Sequence, residues 1–392
     1  MKKRISILGS TGSIGFSSLN IIEKDKLNFK IILLSANKNF SKICKQIVKY
    51  KPVYFVINNI IVFEKVKKKF KKNKVKILNT YNFTNKKVRS DITIAAIPGI
   101  AGLEPTISMI ESTKKILIAN KESVICGWSL IDKKCKKFQT KIIPIDSEHF
   151  SIFELLKNHK INEIKKIFLT ASGGPFLKFN LNKLKKIQPK NALKHPKWKM
   201  GKKISIDSST LMNKIFELAE AQKLFSIPSN KLDILIHPDS LVHAIIKFKN
   251  GITKFIYHET SMIIPLANAI FDGQLDIDLF FNKKNYNASH EIKSLIFEKP
   301  NYKKFPALKL QKIINAYPSS AIIVNAANEI LVDLFLRKKI PFLSISKMIL
   351  SIINDRNFKK YAIKRATNIN QIKAIDLWSR TETFKKVHIL KK

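Results

Sequence analysis

Glycines near the beginning of the chain have a spacing that can bind the phosphates of a nucleotide. The segment Gly9-Ser10-Thr11-Gly12-Ser13-Ile14-Gly15 follows a predicted strand, Ile5–Leu8, and opens a predicted helix, Ile14–Lys24. The backbone amides of such a turn, together with the helix dipole, can hold a pyrophosphate. Because the G-x-x-G-x-x-G spacing differs from the usual G-x-G-x-x-G, a tight turn without a ligand stays the alternative. The position before a second strand favours dinucleotide binding.

The end of that second predicted strand, Phe29–Ser35, bears on which dinucleotide is bound. NAD-binding proteins place an acidic residue there, about twenty residues after the glycines, to bind the ribose 2′-hydroxyl. This chain instead has Asn37, Lys38 and Asn39, and no carboxylate. A cation and amide donors would attract a 2′-phosphate, so the sequence favours NADPH.

Three carboxylates have the chemistry of a metal site. Asp146 and Glu148 follow the predicted strand Thr140–Ile145, and alternate residues of an extended segment point the same way. Glu217 is a third carboxylate of the same kind, and such a set without paired Cys or His favours Mg²⁺ or Mn²⁺ over Zn²⁺. An N-cap Asp with surface acids explains the spacing equally well. His149 is either a partner of the site or, as we expect, a core residue.

Another group of polar residues is suited to bind a phosphate. Ser172 and two glycines follow a predicted strand, Lys165–Thr170. Asp207-Ser208-Ser209-Thr210 is expected to open a helix from about Ser209 to Phe225, and hydroxyls with free amides at a helix N-terminus bind anions. The same helix carries Asn213, Lys214 and Glu217, of which the first and last share one face. The alternative is an N-cap Ser208 on an ordinary amphipathic helix.

Between these motifs lies the segment His195–Lys203, in which Trp198 is flanked by lysines. Pro196 precedes the tryptophan and Gly201 follows it, so the segment favours neither helix nor strand. This composition is typical of a lid loop over a charged substrate. A plain surface loop is the alternative.

The elements that position these residues alternate between strand and helix in the first third of the chain, which predicts a doubly wound, Rossmann-like parallel sheet. The middle third predicts an α+β catalytic domain, and the last part predicts a small C-terminal helical domain. The predicted ranges are an NADPH-binding domain at 1–146, a catalytic domain that binds metal and substrate at 147–271, a linker at 272–299 and the helical domain at 300–392. The further predicted elements are the helix Phe40–Lys49 and the strands Val53–Ile57, Ile92–Ala96, Lys115–Ala119, Leu232–His237, His243–Phe248 and Thr253–Tyr257.

The charge of the chain is strongly basic, with 73 Lys+Arg against 28 Asp+Glu and a net charge of +45. Such a balance is typical of proteins that bind polyanions. The lysines are dispersed, however, and accompany abundant Ile, Asn and Phe, which favours biased coding over an evolved nucleic-acid surface. Three cysteines fit a reducing compartment, and no apolar stretch is long enough to span a membrane. We therefore expect a cytoplasmic protein without a specific nucleic-acid partner.

Together these motifs resemble the 1-deoxy-D-xylulose 5-phosphate reductoisomerase family of the non-mevalonate isoprenoid pathway. The resemblance covers essentially the whole chain, and its most specific part is the run Met200–Ser208 with Met212-Asn213-Lys214. It also includes Ala119–Ser123 and Asn325–Glu329. Asn37, where relatives often have Gly, and Asp239, in place of a common Gln, depart from the family pattern.

The resemblance implies a role for each matched residue. The metal ligands would be Asp146, Glu148 and Glu217. The catalytic residues would be Lys121, Glu148 and His195. The substrate-binding residues, mainly for the phosphate, would be Lys121, Ser147, Glu148, Ser172, His195, Trp198, Ser208, Asn213, Lys214 and Glu217. The NADPH-binding residues, with 37–39, would be Thr11, Gly12, Ser13, Ile14, Asn120, Glu122 and Gly201.

The implied reaction is the metal-dependent rearrangement and NADPH-dependent reduction of 1-deoxy-D-xylulose 5-phosphate to 2-C-methyl-D-erythritol 4-phosphate by a homodimer. Two alternatives stay open. Another NADPH-dependent reductase of a phosphorylated substrate shares the first domain, although an aldehyde dehydrogenase would need a nucleophilic cysteine in the second, and all three cysteines lie at or before Cys135. A basic nucleic-acid-binding protein explains the charge but not the carboxylates or the glycine turn.

Overall fold

The computed structural model describes residues 2–82, 89–198, 200–281 and 294–389. These residues form two compact units. The first unit comprises Met1–Ser123, Ser129–Phe150 and Ser261–Ile292, and the second comprises Val124–Trp128, Ser151–Thr260 and Lys293–Lys392. Part of the predicted linker, 282–293, and Lys199 of the predicted lid lie outside the described residues.

The strands of the described residues belong to two sheets. In chain order they are β1 Lys3–Leu8, β2 Phe29–Ala36, β3 Tyr54–Ile57, β4 Lys76–Leu78, β5 Ser90–Ala95, β6 Thr113–Ile118, β7 Lys141–Pro144, β8 Ile164–Ala171, β9 Leu232–Ile236, β10 Val242–Phe248 and β11 Thr253–Tyr257. Each predicted strand is present within two residues of its predicted ends. The three-residue strand β4 was not predicted, because so short a segment shows no periodicity.

The α-helices of the described residues connect these strands and dominate the last part of the chain. In chain order they are α1 Ser13–Lys24, α2 Phe40–Tyr50, α3 Ile60–Lys69, α4 Leu103–Ile110, α5 Lys121–Phe138, α6 Ser147–Leu155, α7 Leu181–Leu184, α8 Pro189–Ala192, α9 Lys202–Ser209, α10 Met212–Phe225, α11 Ile263–Phe271, α12 Ser320–Leu336, α13 Ser344–Ile353, α14 Phe358–Ala362 and α15 Ile369–Ile389. No helix among them is both long and apolar enough to cross a membrane.

The first unit is built on a seven-stranded parallel sheet with the order β4-β3-β2-β1-β5-β6-β7. The inner strands of this sheet are largely buried on both faces, as continuous apolar runs in parallel strands predict; Ile5, Ile7, Leu34, Phe55 and Ile94 have no exposed surface. The strand order reverses between β1 and β5. In such sheets ligands bind outside the carboxyl ends of the strands at this switch point, where the glycine turn follows β1.

The second unit contains a four-stranded mixed sheet with the order β11-β10-β8-β9. Strands β8 and β9 are parallel, whereas β10 is antiparallel to both β8 and β11. The C-terminal helices α12 and α15 are joined by a hydrogen bond from Ser379 Oγ to the carbonyl of Ile323, 2.7 Å long. The predicted fold class, a doubly wound sheet, an α+β part and a helical C-terminal part, is confirmed.

The prediction of a single helix from about Ser209 to Phe225 is wrong at its beginning. Helix α9 already includes Lys202–Ser209, and α10 begins at Met212. Leu211 separates the two helices with a left-handed φ of 59°. A left-handed leucine is strained and persists only where the surrounding structure enforces it, so the sequence carries no local signal for this break.

Candidate active site

The glycine turn of the first unit is a close-packed backbone cradle. Gly9 has a left-handed φ of +83°, and a Cβ atom there would lie 2.7 Å from the carbonyl oxygen of Ala96. A Cβ on Gly15 would lie 2.6 Å from Cα of Ser10 and closer still to the carbonyl oxygen of Gly9. Glycine at these positions therefore lets α1 begin directly against β1. The first-turn amides of α1, whose orientation leaves them without intrahelical partners, are thus available to a pyrophosphate.

A buried side-chain pair, Ser10 and Gln46, holds this turn in place, and no local sequence pattern marks it. Ser10 Oγ donates to Gln46 Oε1 at 2.7 Å, and Gln46 Nε2 donates to the carbonyl of Ser10 at 2.9 Å. The turn is also bonded to β2, because the amides of Gly9 and Ser10 both donate to the carbonyl of Ser35. The predicted cofactor residues that follow, Thr11 to Ile14, therefore start from a backbone held by hydrogen bonds.

The residues predicted to contact the adenosine end, Asn37, Lys38 and Asn39, are exposed after β2. Asn39 has a structural function as well, since its side chain caps α2 by accepting the amide of Lys42 at 3.0 Å. The Nζ atom of Lys42 donates to the carbonyl of Thr11 at 3.4 Å. Lys42 is therefore a second cation beside the glycine turn, in addition to Lys38. The sequence prediction missed Lys42, although its place in the first turn of α2, close in the chain to Lys38, was an available signal.

Helix α5 brings the predicted Asn120, Lys121 and Glu122 to its first turn, and all three are buried. Asn120 caps the helix by accepting the amide of Ser123, and its Nδ2 donates to the carbonyl of Gly99 at 2.9 Å. Lys121 Nζ lies 3.1 Å from Oδ2 of Asp146. The structure therefore joins a predicted catalytic lysine to a predicted metal ligand within the first unit.

The geometry expected for Asp146 and Glu148 is wrong, although their proximity is not. They do not alternate on an extended segment: Asp146 precedes α6, and Glu148 lies in its first turn. Asp146 Oδ1 accepts the amide of Glu148 at 3.3 Å and lies 3.3 Å from Nδ1 of His149. His149 has no exposed surface, so it is the core residue we expected and also a partner of Asp146. Ser147 is buried and its hydroxyl donates to Glu148.

In the second unit, α10 groups the residues expected on one helical face. Asn213 donates through Nδ2 to Oε1 of Glu217, and Lys214 forms an ion pair with the same carboxylate. Glu217 is 1% exposed. A carboxylate this deeply buried needs a compensating charge and hydrogen bonds, and here a lysine and an amide supply both.

Ser172 and His195 are in contact in the second unit, with Oγ and Nε2 3.0 Å apart. The other ring nitrogen, Nδ1, accepts the amides of Lys197 at 3.1 Å and Trp198 at 2.9 Å. A nitrogen that accepts carries no proton, so the proton of the neutral ring is assigned to Nε2, which becomes a donor. Burial and the charge of Lys214 lower the pKa of His195 to about 4. At neutral pH this residue is therefore an uncharged hydrogen-bond donor.

Ser208 is not at a helix N-terminus, so the dipole argument made for it from the sequence is wrong. It lies in the last turn of α9, because the break at Leu211 comes after it. A Cβ on Gly174 would nevertheless lie 3.0 Å from the carbonyl oxygen of Ser208. The turn after Ser172 therefore packs directly on the segment that carries Ser208.

The predicted lid segment ends earlier than predicted, since Lys202 and Lys203 belong to α9, whose N-cap is Gly201. Trp198 is half-buried, with its ring 6.0 Å from that of His243 in a T-shaped contact. Lys197 forms an ion pair with Asp239 at 2.9 Å. Asp239, which departs from the family pattern, thus forms an ion pair with a lysine of the lid segment. His243 was not singled out from the sequence, where a histidine inside a strand gives no distinct signal.

The residues present fit the two ligands that the sequence predicts, a dinucleotide and a divalent metal ion. A Cβ atom at Gly9 or Gly15 would clash with the backbone. Glycine is therefore needed for this close-packed turn, which is typical of pyrophosphate sites. Asp146 and Glu148, in the first unit, and Glu217, in the second, offer oxygen atoms alone, which is the chemistry of Mg²⁺ or Mn²⁺. A doubly wound parallel sheet with such a turn at its switch point is typical of dinucleotide-dependent oxidoreductases.

Comparisons with known proteins place the chain within this class. Profiles described as 1-deoxy-D-xylulose 5-phosphate reductoisomerase, 1-deoxy-D-xylulose 5-phosphate reductoisomerase C-terminal domain and DXP reductoisomerase C-terminal domain match residues 5–127, 142–225 and 259–382. The chain is 44% identical over 379 residues to the reductoisomerase of Pelagibacter ubique (strain HTCC1062), covering 95% of this chain and 97% of the relative. It is 40% identical to that of Wolbachia pipientis subsp. Culex pipiens (strain wPip), covering 96% of each.

Solved structures agree. The Zymomonas mobilis reductoisomerase in complex with NADPH has a TM-score of 0.86 and 30% identity, covering 99% of each chain. A DOX-P reductoisomerase in complex with NADPH, fosmidomycin and magnesium has a TM-score of 0.90 and 30% identity, covering 100% of this chain and 99% of the other. The chain belongs to the 1-deoxy-D-xylulose 5-phosphate reductoisomerase family. The resemblance inferred from the motifs is confirmed, and the nucleic-acid-binding alternative is not favoured.

Proposed function

We propose that the protein catalyses the NADPH-dependent and divalent-metal-dependent conversion of 1-deoxy-D-xylulose 5-phosphate to 2-C-methyl-D-erythritol 4-phosphate. The observation that carries this proposal is the 44% identity to a reductoisomerase over 95% of the chain. When bound, the metal polarises the oxygens of the substrate and NADPH supplies the hydride. The chain's own residues bind, orient and shield the reactants.

NADPH would be held by the first unit, mainly at the glycine turn. The residues proposed to contact it are Thr11, Gly12, Ser13, Ile14, Asn37, Lys38, Asn39, Asn120, Glu122 and Gly201. The absence of a carboxylate at 37–39 and the presence of Lys38 favour the 2′-phosphate of NADPH over the 2′-hydroxyl of NADH. The similar structures solved with NADPH support this choice.

Asp146, Glu148 and Glu217 are the proposed ligands of Mg²⁺ or Mn²⁺. In the described structure Lys121 pairs with Asp146, and Lys214 pairs with Glu217. Each lysine therefore neutralises a carboxylate that is proposed to bind the cation, and we propose that each lysine also contacts the substrate. Lys121 and Ser147 would lie near the reacting carbons, with Lys121 able to hold a proton at Nζ.

The substrate phosphate would be held by Ser172, His195, Ser208, Asn213 and Lys214. His195 contributes a neutral Nε2–H and Lys214 a positive charge, so the phosphate meets one cation and several neutral donors. Contacts to a phosphate that takes no part in the chemistry supply binding energy remote from the reacting bonds. Trp198, on the lid, would exclude water from the bound substrate.

We also propose that the protein is a cytoplasmic homodimer that forms through the range 147–271. The three cysteines are all buried thiols, as expected in a reducing compartment. Strand β11 is an edge strand of the described sheet, with Phe255 45% exposed, and an exposed edge strand can pair with a second copy. Sedimentation of the purified protein measures this state directly.

The experiment that tests the reaction is NADPH oxidation with 1-deoxy-D-xylulose 5-phosphate, followed by the loss of the reduced nicotinamide absorbance. We expect oxidation in the presence of Mn²⁺ or Mg²⁺, none after chelation, and far slower oxidation of NADH. Identification of the product as 2-C-methyl-D-erythritol 4-phosphate completes the assignment. A folded protein that binds NADPH but does not oxidise it with this substrate would contradict the proposal and leave another reductase of a phosphorylated substrate.

A further inference from the structure

Asp207 is a buried acid to which the reaction as described assigns no function. Its carboxylate is 2% exposed and lies in the last turn of α9. Asn328 on α12 donates through Nδ2 to Oδ1 of Asp207 at 2.7 Å, and Lys203 Nζ lies 3.1 Å from Oδ2. Asn328 itself has no exposed surface. The amide–carboxylate bond therefore joins two residues that are 121 positions apart in the chain.

This carboxylate is unfavourable at its position unless it is held by partners. The C-terminal end of a helix carries partial negative charge, so an acid there is repelled. Burial adds a desolvation cost that hydrogen bonds and an opposite charge must offset. Lys203 provides the charge from within α9, whereas Asn328 provides a bond from the C-terminal helical part. A bond of this kind fixes the end of α9 relative to α12.

The end of α9 is also where the proposed phosphate-binding residues come together. Ser208 directly follows Asp207, and the backbone of Gly174 packs on the carbonyl of Ser208. Leu211, three residues after Ser208, holds the left-handed turn that starts α10 and places Asn213 in its first turn. A shift of Asp207 would therefore displace Ser208 and the start of α10 together.

We propose that Asp207 and Asn328 are positioning residues for the substrate phosphate. Their hydrogen bond holds the end of α9 so that Ser208 and the first turn of α10 keep the geometry in which they bind the phosphate. Helix α12 thereby sets the affinity for the phosphorylated substrate without touching it. The inference rests on the proposed function of Ser208, Asn213 and Lys214.

The test exchanges the two side chains. Asn328→Asp places two carboxylates against each other, Asp207→Asn removes the charge without changing the shape, and the double variant D207N/N328D restores an amide–carboxylate pair in the opposite order. Asn325→Asp is the matched control, because Asn325 is equally buried on α12 but bonds within the helix to Glu329, at 3.2 Å. For each variant, KM and kcat for 1-deoxy-D-xylulose 5-phosphate, the inhibition constant of inorganic phosphate and the melting temperature are measured.

We expect N328D to raise KM about tenfold or more, the scale of one charge-assisted buried hydrogen bond, with a parallel rise in the phosphate inhibition constant and little change in kcat. The double variant should recover most of this loss, and N325D should leave KM unchanged. A KM shift in N325D equal to that of N328D, or a folded double variant without recovery, would overturn the proposal. If N328D does not fold, Asn328→Ala decides, because it removes the amide donor without adding a charge: a raised KM supports the proposal and an unchanged KM refutes it.

The wild-type protein separates this inference from the proposed function. Turnover of the substrate by the wild type tests the function alone. If the wild type does not turn the substrate over, calorimetric titration with inorganic phosphate still tests the inference, because N328D should then bind phosphate about tenfold more weakly than the wild type and N325D. Equal phosphate affinities of all three proteins would refute it.

Discussion

Replacing Gly15 by alanine tests whether the glycine turn is a cradle that no side chain can enter. The new Cβ would lie 2.6 Å from Cα of Ser10, whereas carbon atoms in contact are normally about 3.5–4.0 Å apart. The start of α1 and the turn must therefore separate by roughly 1 Å. Overpacking of this kind typically costs about 1–3 kcal/mol, and the displaced atoms belong to the turn that is proposed to bind NADPH.

We expect Gly15→Ala to lower the free energy of unfolding by about 1–3 kcal/mol and to weaken NADPH binding by about tenfold or more, since about 1.4 kcal/mol corresponds to a factor of ten. Gly12→Ala is the matched control within the turn. Its Cβ would lie 3.3 Å from the carbonyl oxygen of Gly9, and its φ of −78° suits any residue, so its unfolding free energy should stay near that of the wild type.

The assays are chemical denaturation for stability and fluorescence titration of NADPH for affinity. A Gly15→Ala protein with wild-type stability and wild-type NADPH affinity would refute the argument, because it would show that α1 can move away from the turn without consequence. A loss of affinity in Gly12→Ala equal to that in Gly15→Ala would show that contact with the cofactor, and not the packing of the turn, limits binding.

Three further predictions concern the metal, the histidine and the choice of cofactor. Glu217→Gln should weaken the apparent Mn²⁺ affinity in the NADPH oxidation assay by about a hundredfold or more, because it removes a ligand and outer partners alone are worth 10–100-fold. The pKa of His195 is lowered from 6.5 to about 4, so as the pH falls the unfolded chain binds a proton at this residue before the folded chain does, and stability is lost. His195→Gln should therefore reduce the loss of melting temperature between pH 6.5 and pH 4. The effect should be modest, because the ring is partly exposed and screened by solvent. Lys38→Glu should raise KM for NADPH about tenfold or more and leave KM for NADH nearly unchanged.

The metal and cofactor predictions each have a control variant, and the histidine prediction is checked against the wild type. Glu220→Gln, a buried acid one turn further along α10, should leave the metal dependence intact, and equal effects of the two variants would contradict the assignment of Glu217. Identical pH slopes of the wild type and the His195 variant would show that His195 is not buried in its neutral form. Lys30→Glu, an exposed lysine on β2, controls for net charge; if it raises KM for NADPH as much as Lys38→Glu, the effect is general attraction and not a contact.

The local sequence predicted the alternating first third of the chain because buried parallel strands and their helices leave periodic apolar patterns. The strand-to-helix turn at Gly9–Gly15 was predictable for the same reason. The choice of NADPH followed from the absence of an acid at 37–39, which is visible in the sequence itself. The candidate site residues were chosen by their types: carboxylates without sulfur ligands, and serine, asparagine and lysine near a glycine turn. These are properties of short segments, in which each residue's chemistry is visible without its partners.

The tertiary structure decided how those residues meet. The left-handed Leu211 splits a predicted helix and moves Ser208 from the beginning of one helix to the end of another. Asp146 and Glu148 approach each other through the first turn of α6 and not along a strand. The hydrogen bond between Asp207 and Asn328 spans 121 positions. Strain at one residue and contacts between distant segments depend on the packing of the whole unit, and no short segment of sequence contains that information.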